Sequence, residues 1–182
     1  MLDFLKPEND AILILKKDHD VVDALFDDFK KAESRDEKCR IALEAINELR
    51  MHALVEEEIF YPAMRAQGVD KDMLNEADEE HHVAKLLIAE LATMDGSEQH
   101  FDAKFTVLAE NIRHHVKEEE HDLFPKCRDT EVDMVALGER MLARKDELKT
   151  KGIPANAEEL LMARQGVHDS SAEAAMRKPR AA

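Results

Sequence analysis

Four histidines and two glutamates in this sequence are spaced as a metal centre would require. Glu56 follows His52 by four residues, and Glu119 follows His115 by four. A four-residue step puts two side chains one turn apart on the same helix face, so both can reach one point. Each pair lies on an apolar stripe built from alternating steps of three and four. One stripe runs through Ala42, Ala45, Leu49, His52, Glu56 and Ile59, the other through Phe101, Phe105, Leu108, Ile112, His115 and Glu119. His19 sits in the same way among Ile12, Leu15, Val22 and Phe26, and His81 among Leu74, Ala77, Ala84 and Ile88. Stripes of this spacing face a core. Burying an imidazole or a carboxylate without a partner is expensive, and a shared metal centre removes that cost for all six at once. The mixed nitrogen and oxygen set, without thiolate, suits iron or manganese better than structural zinc. Two six-coordinate ions offer about twelve positions. Four histidines, two bridging glutamates and a bridging oxide or hydroxide leave about two positions open for water, dioxygen or another small molecule.

The elements that must position these residues are long helices. The chain has 182 residues with only 5 Gly and 5 Pro, no Trp and one Tyr, which means few turns and argues against a β-sandwich or barrel. The periodicity predicts helices over 8–32, 36–61, 70–95 and 99–124, with Pro62 and Pro125 stopping the second and fourth. A fifth helix is predicted over about 131–149 from Val132, Val135, Leu137, Met141, Leu142 and Leu148. An internal repeat ties the helices together. The segment from Glu48 through His52 and Glu56 to Pro62 matches the one from Asn111 through His115 and Glu119 to Pro125 at an offset of 63 residues. Asp18-His19 matches Glu80-His81 at an offset of 62. Two helical hairpins of one design predict an all-α, up-down-up-down four-helix bundle with an additional C-terminal helix. The expected organisation is a bundle with its fifth helix over residues 1–150, then a flexible C-terminal tail over 151–182 with a short helix around 156–165.

Composition bounds the function classes. Charged residues make up 37% and hydrophobic ones 44%, so the chain is neither disordered throughout nor a membrane protein. The net charge of −15, with its excess in residues 1–125, disfavours nucleic acid as a partner. Cys39 and Cys127 make no disulfide framework and fit a reducing compartment. With no secretory signal in the first residues, the expected location is cytoplasmic.

The sequence resembles the hemerythrin-like, HHE cation-binding family. The motifs that carry the resemblance are Asp18-His19-Asp20, His52-x-x-x-Glu56 running into Phe60-Tyr61-Pro62, Glu80-His81, and His115-x-x-x-Glu119 running into Leu123-Phe124-Pro125. The resemblance implies a four-helix bundle around a non-haem, oxo- or hydroxo-bridged di-iron centre, with His19, His52, Glu56, His81, His115 and Glu119 as ligands. Two positions depart from the oxygen-carrying members. Lys85 stands where they use a fifth histidine, one turn after the ligand of the third helix. Glu120 stands where they use an aspartate. The resemblance therefore points away from reversible oxygen transport. It points to members that bind or sense O2, NO or peroxide or handle iron. The alternative is a di-iron oxidoreductase acting on peroxide or nitric oxide, or one serving iron–sulfur cluster repair.

The remaining polar residues have plainer readings. Glu57, Glu58, Glu118 and Glu120 are expected on a charged outer face, although each could orient a histidine. His82 and His114 lie one residue off their stripes and are expected at the surface. His121 is expected to pair with Glu118 in solvent, Tyr61 to serve packing, and Lys85 to lie at the surface or in a salt bridge.

Overall fold

A computed structural model describes residues 7–154. Helix α1 spans Ala11–Lys31, and its N-cap Asp10 accepts from the backbone N–H groups of Ile12 and Leu13. Helix α2 spans Arg35–Val55 behind the Ser34 cap. The same rod continues through a π turn, Glu56–Phe60, into α3, Tyr61–Ala66. Helix α4 spans Lys71–Leu91 behind the Asp70 cap. Helix α5, Phe101–Glu118, continues through a second π turn, Glu119–Leu123, into α6, Phe124–Arg128. Helix α7, Met134–Lys151, is capped by Asp133 and ends at Gly152, whose φ of 84° is open to glycine at little cost. The four rods form the expected up-down-up-down bundle. Helix α7 packs outside it, against α1, α2 and the first π turn. The short helix around 156–165 and most of the expected tail lie outside the described residues.

The two prolines correct the sequence-based expectation. Neither Pro62 nor Pro125 stops its helix; each sits in the first turn of a continuing segment. Proline in a helix interior lacks an N–H and collides with the carbonyl four residues back. Here each follows a widened turn, in which the N–H of Tyr61 bonds the carbonyl of Glu56 and that of Phe124 bonds Glu119, both five residues back. Helix α7 also starts three residues later than expected, and Leu142 is exposed rather than inward.

The core is divided. One apolar cluster gathers Val22, Phe26, Leu49, Ala84, Ile88 and Ile112 with their neighbours. A second gathers Leu15, Val55, Phe60, Ala77, Leu123 and Phe124 with theirs. On each rod the polar residues fall at the boundary. His19 lies between Leu15 and Val22, His52 and Glu56 follow Leu49, His81 lies between Ala77 and Ala84, and His115 and Glu119 lie between Ile112 and Leu123. A single polar layer thus crosses the bundle between two apolar halves.

Candidate metal centre

All six expected site residues reach this layer, and all are buried. Glu56 is fully buried, at 0% exposure, so its carboxylate has no recourse to water. Their inner atoms form two overlapping groups. His19, His52, Glu56 and Glu119 converge in one, and Glu56, His81 and His115 in the other. His52 Nε2 lies 3.1 Å and His81 Nε2 3.3 Å from Glu56 Oε2. His19 Nε2 lies 3.3 Å and His115 Nε2 3.5 Å from Glu119 Oε2. Each glutamate therefore faces one histidine from each hairpin. Both carboxylates stand between two histidine pairs, His19 with His52 and His81 with His115.

The histidines are held from behind by four carboxylates. Nδ1 of His19 meets Glu120 Oε1 at 2.8 Å, and that of His52 meets Asp18 Oδ2 at 3.4 Å. Nδ1 of His81 meets Glu57 Oε1 at 2.9 Å, and that of His115 meets Glu80 Oε2 at 2.7 Å. This corrects the outer-face reading of Glu57 and Glu120, and it adds Asp18 and Glu80, the residues directly before His19 and His81. The repeat contained the signal, since Asp18 matches Glu80 and Glu57 matches Glu120. A carboxylate accepting Nδ1–H fixes the tautomer and leaves Nε2 with a bare lone pair facing inward. The bases of these clamps are themselves paired, Asp18 with Lys145 from α7, Glu57 with Lys85, and Glu120 with Lys16 at 3.4 Å.

The donor set fits a cation by a direct test. His19 Nε2, His52 Nε2, both oxygens of Glu56 and Glu119 Oε2 are buried and make no hydrogen bond. His81 Nε2 and His115 Nε2 stand 3.1 Å apart, a contact that needs a proton or a cation when both Nδ1 atoms donate outward. Without metal, protons on His52 and His81 can fill this role. Burial opposes a charge on His52, but the Glu56 and Asp18 carboxylates outweigh it and hold the imidazole up at about 10. Burial likewise opposes charge on His81, which Glu56 and Glu57 raise to about 9. Burial works against the Glu56 carboxylate, yet His52 and His81 hold it well below the usual range.

Two aromatic rings close the layer. Tyr61 and Phe124 occupy equivalent positions of the repeat. Phe124 stacks on His19 at 5.9 Å, and Tyr61 lies against His81 at 5.6 Å. Tyr61 also donates from its hydroxyl to Glu119 Oε1 at 2.8 Å, so it does more than pack. On the opposite side of the layer lies a cavity of about 30 Å³, room for about two water-sized molecules. The four histidines line it together with Asp18, Lys85 and apolar side chains. Lys85 is only 3% exposed, which rules out the surface position. His114 is exposed and pairs with Glu118 at 3.2 Å. His121 donates to the Lys117 carbonyl rather than pairing with Glu118.

The protein belongs to the hemerythrin family, defined by the Hemerythrin HHE cation binding domain, which matches residues 10–127. Its structure is similar to the crystal structure of a hemerythrin HHE cation binding domain-containing protein from Mycobacterium kansasii. The TM-score is 0.67 at 25% identity, covering 82% of this chain and 98% of that one. A curated relative, a DNA nickase from Nostoc sp., is 26% identical over 115 residues, which is 63% of this chain. The chain spans about a third, 32%, of the nickase.

Proposed function

We propose that the layer binds two iron ions, one at His19 and His52 and the other at His81 and His115, with Glu56 and Glu119 reaching both. The observation that carries this reading is the set of buried, unbonded Nε2 and carboxylate atoms in two groups that share Glu56. Bound iron would supply a redox-active centre with exchangeable positions for O2, nitric oxide or peroxide. The chain's own residues position it. Four carboxylates orient the imidazoles, two apolar clusters keep bulk water away, and the small cavity limits the ligand to a few atoms. Binding, sensing or iron handling is the function this arrangement supports best. A second reading, an oxidoreductase that consumes peroxide or nitric oxide, draws on Tyr61, whose hydroxyl is a proton donor at Glu119. The nickase's activity is not carried over, because the matching region is a minor part of that protein and a net charge of −15 repels phosphate.

The test is metal content. Protein expressed with ample iron should hold about two irons per chain, and a Glu56→Ala, Glu119→Ala double variant should lose them. Substoichiometric iron that the double variant leaves unchanged would refute the di-iron reading. Steady consumption of hydrogen peroxide or nitric oxide by the loaded protein would favour the oxidoreductase over the binding role.

A further inference from the structure

Glu80 differs from the other carboxylates that hold the histidines. Asp18, Glu57 and Glu120 are each paired with a lysine, so a positive charge stands beside each clamp. Glu80 has no lysine or arginine partner among the described residues. Its Oε2 accepts Nδ1–H of His115 at 2.7 Å. Its Oε1 has as its neighbour His114 Nε2, at 3.7 Å. Where the other clamps meet a lysine, this one meets a histidine and a further carboxylate.

That pair is a second ladder on the same rod. His114 and Glu118 are four residues apart on α5, one residue off His115 and Glu119, so the spacing that faces the core recurs on the outer side. His114 Nε2 lies 3.2 Å from Glu118 Oε1. One donor atom from each of Glu80, His114 and Glu118 lies within 4.8 Å of the other two. Donors bound to a tetrahedral zinc ion at about 2.1 Å stand about 3.4 Å apart, and the distances of 3.2 and 3.7 Å bracket that spacing. The bundle design does not impose this trio. At the matching positions of the first hairpin stand Met51 and Val55, both buried and apolar, and there Asp18 takes its charge partner from α7 instead.

We propose that Glu80, His114 and Glu118 form an exterior site for one divalent transition-metal cation, such as zinc or ferrous iron. One imidazole and two carboxylates make a nitrogen and oxygen set suited to such ions, whereas calcium and magnesium take oxygen ligands. The ion supplies beside Glu80 the positive charge that lysine supplies beside the other three. His114 is 64% exposed, so the ion enters from solvent and keeps water in its remaining positions. A proton on His114 serves Glu118, but it leaves Glu80 Oε1 beyond hydrogen-bond reach. Glu80 keeps His115 through its other oxygen, so one carboxylate joins the exterior site to the histidine layer. The site stands whether or not that layer holds iron.

Equilibrium dialysis of the full chain against zinc counts bound ions, with calcium as the competitor. At the free zinc that just fills wild type, His114→Ala should hold one ion fewer. Glu118→Gln should weaken the same site at least about tenfold, since even residues that only orient a ligand are worth that much. His121→Ala removes an exposed histidine that serves the Lys117 carbonyl, and it should leave the count unchanged. Neither His114 nor Glu118 belongs to the apolar core, so both variants keep the fold. These differences are read between variants, so zinc or iron in the buried layer does not alter them. Equal counts in wild type and His114→Ala overturn the proposal and leave the di-iron reading untouched. An equal loss in His121→Ala, or displacement of the zinc by equimolar calcium, shows only diffuse attraction to an acidic surface and also overturns it.

Discussion

At the scale of single residues, the site is made by atoms that have nothing else to bond. Tyr61 shows how specific this is. Its repeat counterpart, Phe124, fills the same place with a plain ring, so a phenyl group fits there without strain. Burial pushes the Tyr61 phenol well above its ordinary range, and the negative charges of Glu119 and Glu56 push it further, so it remains a donor. Tyr61→Phe should therefore remove one buried, charge-assisted hydrogen bond and little else, at a cost of about 1.5–3 kcal/mol. Urea unfolding of the metal-free variant measures this, and a midpoint equal to wild type would mean that Glu119 finds another donor. The six inward residues were legible in the sequence because a charged or imidazole side chain on an apolar stripe needs an explanation. The carboxylates behind them were signalled only by the repeat, because Asp18, Glu57, Glu80 and Glu120 each lie one residue off a stripe, where acidic side chains are ordinarily solvated. For Lys85 the salt-bridge reading holds, with Glu57 as partner, while its burial was not legible because lysine is rarely buried.

At the scale of elements, what sequence periodicity cannot show is a change of helical pitch. The steps of three and four located every rod, but Pro62 and Pro125 marked apparent ends. The π turns that absorb them have no composition signature beyond those prolines. Each turn begins at a site glutamate, Glu56 or Glu119, so the local widening and the site share a residue. Helix α7 contributes from outside the bundle, bringing Lys145 to Asp18 and Arg144 to Glu58 at 2.8 Å. Its closeness depends on Gly138, where a Cβ would stand 1.9 Å from the Asn9 carbonyl oxygen and 2.9 Å from the Ala11 nitrogen. In an open helix Gly→Ala stabilises by about 1 kcal/mol. Here the obstacle is backbone, so Gly138→Ala should instead destabilise by about 1–3 kcal/mol. A thermal melt that rises would show that α7 is free to shift.

At the scale of the whole molecule, metal and protons compete for one buried layer, and pH separates them. In the metal-free protein His52 and His81 titrate near 10 and 9 against an ordinary value of 6.5, and His19 is also raised. The folded state then binds more protons than the unfolded chain over that interval. Stability from these groups is fully present below about pH 6.5 and is lost as pH rises through the folded values. Glu56 acts in the opposite sense, because its lowered value adds stability above the ordinary 4.5 that is lost as pH falls. The metal-free protein should thus be most stable in mildly acidic to neutral solution. Bound metal would reverse the alkaline arm, because an Nε2 that binds metal carries no proton and binding releases those held before. Urea midpoints of both forms from about pH 6.5 to pH 9.5 should diverge, the metal-free curve falling while the loaded one holds, with the gap measuring linkage to metal. Parallel curves would mean that His19, His52 and His81 are neutral without metal. The inward lone pairs, 3.1 Å apart between His81 and His115, would then need some other cation to hold them together.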